Sequence, residues 1–191
     1  MIKKTSRALG LALLLSTGAA QANLVTNGDF ETGSFAGWTT SIDPVSDGVD
    51  PLAPQAGRYA AYFGNAFGTS TISQQLATTA GKTYNISFWL SSEADVTGAS
   101  VPNSFEFDWG GVARTSLLNT PAFGYRQYQF ALVATSALTD LTFRFSHGPM
   151  FWDLDTVVVE ASATAVPEPG SLALVCLGVA GLAAARRRRR E

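Results

Sequence analysis

Along the middle of the chain, apolar and polar residues alternate with a period of two. Tyr84, Ile86, Phe88 and Leu90 are interleaved with Thr83, Asn85, Ser87 and Trp89. Phe105, Phe107 and Trp109 alternate with Glu106 and Asp108, and Tyr128, Phe130 and Leu132 with Gln127, Gln129 and Ala131. Leu141, Phe143 and Phe145 alternate with Thr142, Arg144 and Ser146. Successive side chains of a strand point to opposite faces, so each run predicts a strand with one apolar face. A valine-rich run at 154–161 and shorter runs at 24–30, 58–63 and 70–78 bring the prediction to about eight strands. No window between 23 and 160 repeats at helical spacing. Gly81-Lys82, Gly110-Gly111 and Ala122-Phe123-Gly124 read as turns. The stretch 43–57, which holds Pro44, Pro51 and Pro54, reads as a surface loop. One aromatic face per strand predicts an all-β fold, two antiparallel sheets packed as a jelly roll or β-sandwich.

The alternation stops at both ends. Lys3, Lys4 and Arg7 precede a short leucine-rich run at 9–15, and Ala20-Gln21-Ala22 supplies a small-x-small pattern. These three features in order predict a helical signal peptide at 1–22, cut between Ala22 and Asn23. At the other end, a small-residue linker at 161–165 leads into Val166-Pro167-Glu168-Pro169, where the two prolines exclude a helix interior. An apolar run follows, and Arg186, Arg187, Arg188, Arg189 and Arg190 close it. As a helix, 172–185 would be about 21 Å long at 1.5 Å per residue. That is shorter than the roughly 30 Å hydrocarbon layer, which makes a marginal anchor held by arginines on the cytoplasmic side.

The tail is similar to the PEP-CTERM sorting signal of Gram-negative bacteria: Val-Pro-Glu-Pro, a short apolar helix, then an arginine cluster. The resemblance covers 166–191. It implies a transient inner-membrane anchor through 171–185 and processing by an exosortase-type membrane enzyme. It further implies delivery to the cell surface or to an exopolysaccharide matrix, as in biofilm-forming species. Three other stretches resemble galactose-binding-like domains, the jelly-roll class that includes many carbohydrate-binding modules. They are Asn-Leu-Val-Thr-Asn-Gly-Asp-Phe-Glu at 23–31 with Gly37-Trp38, Ala-Gly-Lys-Thr-Tyr-Asn-Ile-Ser-Phe-Trp at 80–89, and Phe-Trp-Asp-Leu-Asp-Thr-Val-Val-Val at 151–159. That resemblance implies that opening and closing strands lie together and hold a structural calcium. Carried over by position, Glu31 and Asp155 would be its side-chain ligands, helped by carbonyls around Asn27 to Asp29. Thr156 stands where relatives commonly have a second aspartate, which removes one carboxylate. The alternative is that Asp29 and Glu31 cap turns.

Charge sharpens the division into segments. The net charge of −2 over 191 residues averages two basic ends with an acidic middle, where 23–165 holds Arg58, Lys82, Arg114, Arg126 and Arg144 against thirteen carboxylates. Such a domain repels polyphosphate, which argues against nucleic-acid binding. The one cysteine, Cys176, lies in the tail, so the middle offers neither disulfide nor thiol nucleophile.

Catalytic motifs are scarce. The single histidine, His147, precedes Gly148-Pro149 and reads as a satisfied turn residue. No Gly-x-Ser-x-Gly elbow, His-Glu-x-x-His or phosphate loop is present. A glycosidase needs two carboxylates, but Glu106 and Asp108 fall on an alternating, solvated strand face. Binding is favoured instead. Sugars stack their C–H faces on aromatic rings, and Trp89 interrupts the polar phase of its strand. Trp89 and Tyr125 are the candidate platform, with Arg126 and Gln127 as polar neighbours. Trp38 and Trp152 are expected in the core. The sequence therefore predicts an exported, non-catalytic protein associated with extracellular polysaccharide. Two alternatives stay open: a structural or adhesive matrix component without a defined ligand, and a polysaccharide-degrading enzyme.

Overall fold

The computed structural model describes residues 22–95 and 102–162, and Gly178 in the tail. The expectations for the signal peptide before Ala22, for 163–165 and for the sorting tail fall outside that range. Ten strands form two antiparallel five-stranded sheets. In chain order they are β1 (Thr39–Ser41), β2 (Asp47–Asp50), β3 (Ala60–Phe63), β4 (Ser70–Ala77), β5 (Thr83–Ser92), β6 (Asn103–Trp109), β7 (Val112–Leu118), β8 (Phe123–Val133), β9 (Leu138–His147) and β10 (Trp152–Ala161). The first sheet runs β1-β4-β9-β6-β7 and the second β2-β3-β10-β5-β8. The strands predicted from alternation are present, and the aromatic phase faces inward as expected.

Four strands depart from the sequence expectation, of which β1 is three exposed residues outside any predicted run. β2 lies inside the stretch read as a loop, and its four residues are too few to show a period. β7 is an edge strand, largely exposed on both faces, so no apolar phase marks it. Phe123 and Gly124, read as part of a turn, begin β8. Conversely, 24–30 is not a strand. Asn27 and Phe30 both take positive φ, which breaks the extended path. This segment still lies against β10: Leu24 N–H donates to Val159 O at 2.8 Å and Val157 N–H to Gly28 O at 2.8 Å. The approach at Gly28 is so close that a Cβ would run into the Val157 carbonyl.

The interface between the sheets is dominated by phenylalanine. Phe105, Phe107, Phe143 and Phe145 of the first sheet meet Phe63, Phe88 and Leu154 of the second, all at most 1 % exposed. Phe63 and Phe145 stack with ring centroids 3.8 Å apart, and Phe88 meets Phe107 and Phe143 edge-on. Each such pair adds about 0.5–1.5 kcal/mol beyond area burial. Trp38 stacks on Phe30 and Trp152 is fully buried, as the sequence predicted.

Inward apolar residues leave an outward polar phase. On the second sheet this phase includes Asn85, Ser87, Trp89 and Ser91 of β5, Gln127 and Gln129 of β8, and Asp153 and Asp155 of β10. A bulge at Asp155–Val158, with Thr156 at φ 51°, lets Leu154 and Val157 both point inward.

Candidate functional site

The outward phase of β5 is the axis of the candidate site. Trp89 is partly exposed and stands directly opposite Gln127 on β8 and Asp155 on β10. Its indole N–H has no acceptor among the described residues, whereas Trp38, Trp109 and Trp152 each donate theirs to a backbone carbonyl. Trp89 is thus the one tryptophan not consumed by the fold.

Depressions lie to either side of it along the strands. Toward the start of β5, Asn85, Ser87, Gln129 and Glu160 line a hollow of about 420 Å³. Toward its end, Ser91, Glu93, Phe123, Tyr125 and Asp153 line an open pocket of about 510 Å³. Both volumes lie within the range usual for small-ligand sites.

Of the four residues proposed from sequence as sugar contacts, the structure brings three onto this face. Trp89 and Gln127 are cross-strand neighbours, and Tyr125 lines the end pocket. Tyr125 is half-buried rather than an open platform, and its hydroxyl donates to Ala53 O at 2.7 Å. Burial, then the carboxylates of Asp153, Asp155 and Glu93, push that hydroxyl well above its ordinary range, so it stays protonated. Arg126 is separated from the other three: it pairs with Leu90, and its guanidinium lies over the Phe123 ring at 4.5 Å.

Sequence reasoning missed Ser91, Glu93 and Asp153. Asp153 is only 4 % exposed, and its Oδ2 accepts the Ser91 hydroxyl at 2.7 Å. Burial raises its pKa to about 7, assisted by the nearby Glu93 and Asp50 and opposed by the Ser91 bond. Burial likewise raises Glu93, with Asp50 adding to the effect.

The residues proposed as metal ligands have a visible task. Asp155 is fully buried, with Oδ2 accepting Gln55 N–H at 2.9 Å and Ala56 N–H at 3.1 Å, and Oδ1 accepting Thr156 N–H at 2.6 Å. Glu31 Oε1 accepts Arg58 N–H at 2.7 Å and Tyr59 N–H at 3.0 Å, and these bonds lower its pKa. The two carboxylates therefore pin the 55–59 turn, which Gly57 permits at φ +68°. Calcium needs six to eight oxygen ligands. Three of the pair's four carboxylate oxygens face N–H donors.

Other polar groups serve the fold. Arg144 bridges Glu106, at 2.9 Å, and Asp108 on the outer face of the first sheet. Glu106 lies on the solvated face expected there, but Asp108, expected beside it, is only 5 % exposed where a register shift after Phe107 breaks the alternation. His147, read from the sequence as a satisfied turn residue, is fully buried at the end of β9. Its Nε2 lies 3.2 Å from Ser92 Oγ, and its Nδ1 has no partner.

The fold has clear counterparts. TmCBM61, solved in complex with β-1,4-galactotriose, superposes with a TM-score of 0.59 at 21% identity, covering 74% of this chain and 99% of its own. The CBM22-1 xylan-binding domain of Paenibacillus barcinonensis Xyn10C gives 0.52 at 16% identity, covering 78% and 100%. A family 16 carbohydrate-binding module gives 0.50 at 16%, covering 72% and 99%. The domain thus shares the β-sandwich fold of these three structures. Comparison with curated proteins finds no match. Residues 165–190 match the PEP-CTERM protein-sorting motif, so the chain carries that sorting signal and is an exported protein.

Proposed function

We propose that this protein is a non-catalytic, exported carbohydrate-binding component of the cell surface or exopolysaccharide matrix, sorted by its tail and processed by an exosortase-type enzyme. The carrying observation is the outer face of the second sheet. There an unconsumed tryptophan lies between two hollows lined by Asn, Gln, Ser and carboxylate groups. A sugar ring offers an apolar C–H face to the indole, and its hydroxyls can bond Gln127, Gln129 and Ser87 around it. The sandwich type it shares with carbohydrate-binding modules supports this choice over a matrix protein without a ligand.

Affinity electrophoresis and a glycan array on the purified exported protein test the binding half. Retardation in at least one polysaccharide gel, lost in Trp89→Ala, is the expected result, and no interaction with any neutral, acidic or aminated glycan defeats it. Mass spectrometry of the exported material tests the sorting half, where a C-terminus lacking Arg186 to Arg190 is expected and an intact one counts against processing.

A further inference from the structure

The pocket at the end of β5 is one-sided in charge. Glu93 and Asp153 line it, and Asp50 on β2 stands close enough to raise both. Asp155 adds to the negative field at the Tyr125 hydroxyl. No lysine or arginine lines it: Arg126 lies over the ring of Phe123 at its margin, and Arg58 lies 5.2 Å over Tyr59. The ion pairs among the described residues both belong to Arg144, on the other sheet.

Asp153 is the telling residue. It is more than nine-tenths buried, one oxygen is bonded to Ser91, and the other has no donor among the described residues while the side chain lines the cavity. Burial makes this carboxylate costly to charge, and a cationic donor reaching the free oxygen, which opens to the pocket, would offset that cost. The missing partner must donate hydrogen bonds, carry positive charge and fit beside Tyr125 and Ser91. An ammonium group meets all three requirements.

We infer that the pocket selects a glycan bearing free, protonated amines, a hexosamine polymer without its N-acyl groups, whose ammonium is held between Asp153 and Glu93. This rests on the carbohydrate-binding reading above and names its ligand class. A uronate or sulfated glycan would set like charge against these carboxylates. A neutral or N-acetylated sugar could donate to Asp153 but would leave its charge uncompensated. Other groups face Asp153 too: Ser91 from β5 and Glu93 just beyond its end, Tyr62 opposite it on β3, Asp50 on β2, Asp155 on its own strand, Tyr125 from β8, and His147 behind Ser92. Burial lowers the His147 pKa, so it stays neutral near pH 7 and does not compete for the site. A bound ammonium favours ionised Asp153, so affinity climbs as pH rises toward neutrality and falls once the sugar amine loses its proton.

The test is isothermal titration of the purified exported protein at low salt with three hexamers: β-1,4-linked glucosamine, its N-acetylated form and a hexuronate. A charge-assisted bond to a buried carboxylate predicts a preference of about tenfold to a hundredfold for glucosamine over the N-acetylated form. Asp153→Asn, which keeps the shape and an acceptor for Ser91, should erase that preference. Glu93→Gln, at a more exposed position, should reduce it and serves if the first variant fails to fold. Equal or tighter binding of the N-acetylated or uronate hexamer overturns the amine assignment and leaves carbohydrate binding standing. Silence toward every glycan tested defeats the underlying reading as well. Calcium titrated alone is the remaining arm: heat abolished by Asp153→Asn, with none from glucosamine, would make the pocket a metal site and also overturn the inference.

Discussion

Asp153 of β10 and Ser91 of β5 face each other across an antiparallel pair, and the serine hydroxyl donates to one aspartate oxygen at 2.7 Å. That single bond does not offset burial, so the carboxyl titrates near 7 in the folded protein against 3.8 in the unfolded chain. Between these values the folded state holds the extra proton, so stability falls as pH rises from about 4 to about 7 and levels off above. Asp153→Asn removes this slope. Urea unfolding at pH 4, 5.5, 7 and 8 should show the variant gaining on the wild type across that window, and parallel curves would contradict it.

Trp89 contributes little to the core, because the aromatic interface lies on the other face of β5. Trp89→Ala should therefore change unfolding free energy by less than about 1 kcal/mol. Carbohydrate affinity should drop by about tenfold or more, as for a central aromatic anchor. Affinity electrophoresis beside a thermal melt separates the two effects. A large loss of stability with unchanged retardation would return Trp89 to a structural role.

His147 works in the opposite sense to Asp153. Burial lowers its pKa from 6.5, so the unfolded chain takes up a proton before the folded one does. Stability from this group is therefore complete above about pH 6.5 and declines as the solution is acidified toward the lowered folded value. In the Asp153→Asn background, unfolding free energy should fall between pH 7.5 and 5.5, and the added change His147→Gln should flatten it.

Asp155 holds the 55–59 turn through N–H bonds. Asp155→Ala strands those donors together with that of Thr156, which should cost about 3 kcal/mol by urea unfolding. Neither calcium nor a chelator should move the melting temperature of the wild type. A calcium-dependent rise lost in Asp155→Ala would show that these oxygens turn from N–H groups to an ion.

Much of this was legible in the residues. Alternating phenylalanines around Phe88, Phe107 and Phe143 announced buried faces, because a period of two has one structural meaning when the inward set is aromatic. Trp89 could be singled out for the complementary reason, as a large ring in the polar phase. β7 could not, since an edge strand wet on both faces buries no periodic set. Nor could Ser91, Glu93 and Asp153 be joined. A register shift near Ser92 disturbs the alternation where the pocket forms, and its carboxylates meet only through the pairing of distant strands.

The contact of the opening segment with β10 fixes how the domain is carried. Asn23, the first residue after the predicted cut, is clamped by its own side chain to Val157 O and Val159 N–H, while Ser162 N–H bonds Thr83 O at the start of β5. Ser162 leaves the sheet beside Thr83, and Ser91 to Glu93 lie some nine residues further on, roughly 30 Å along the strand. The acidic mouth therefore opens at the far end of β5 from the point where residue 162 leaves the sheet.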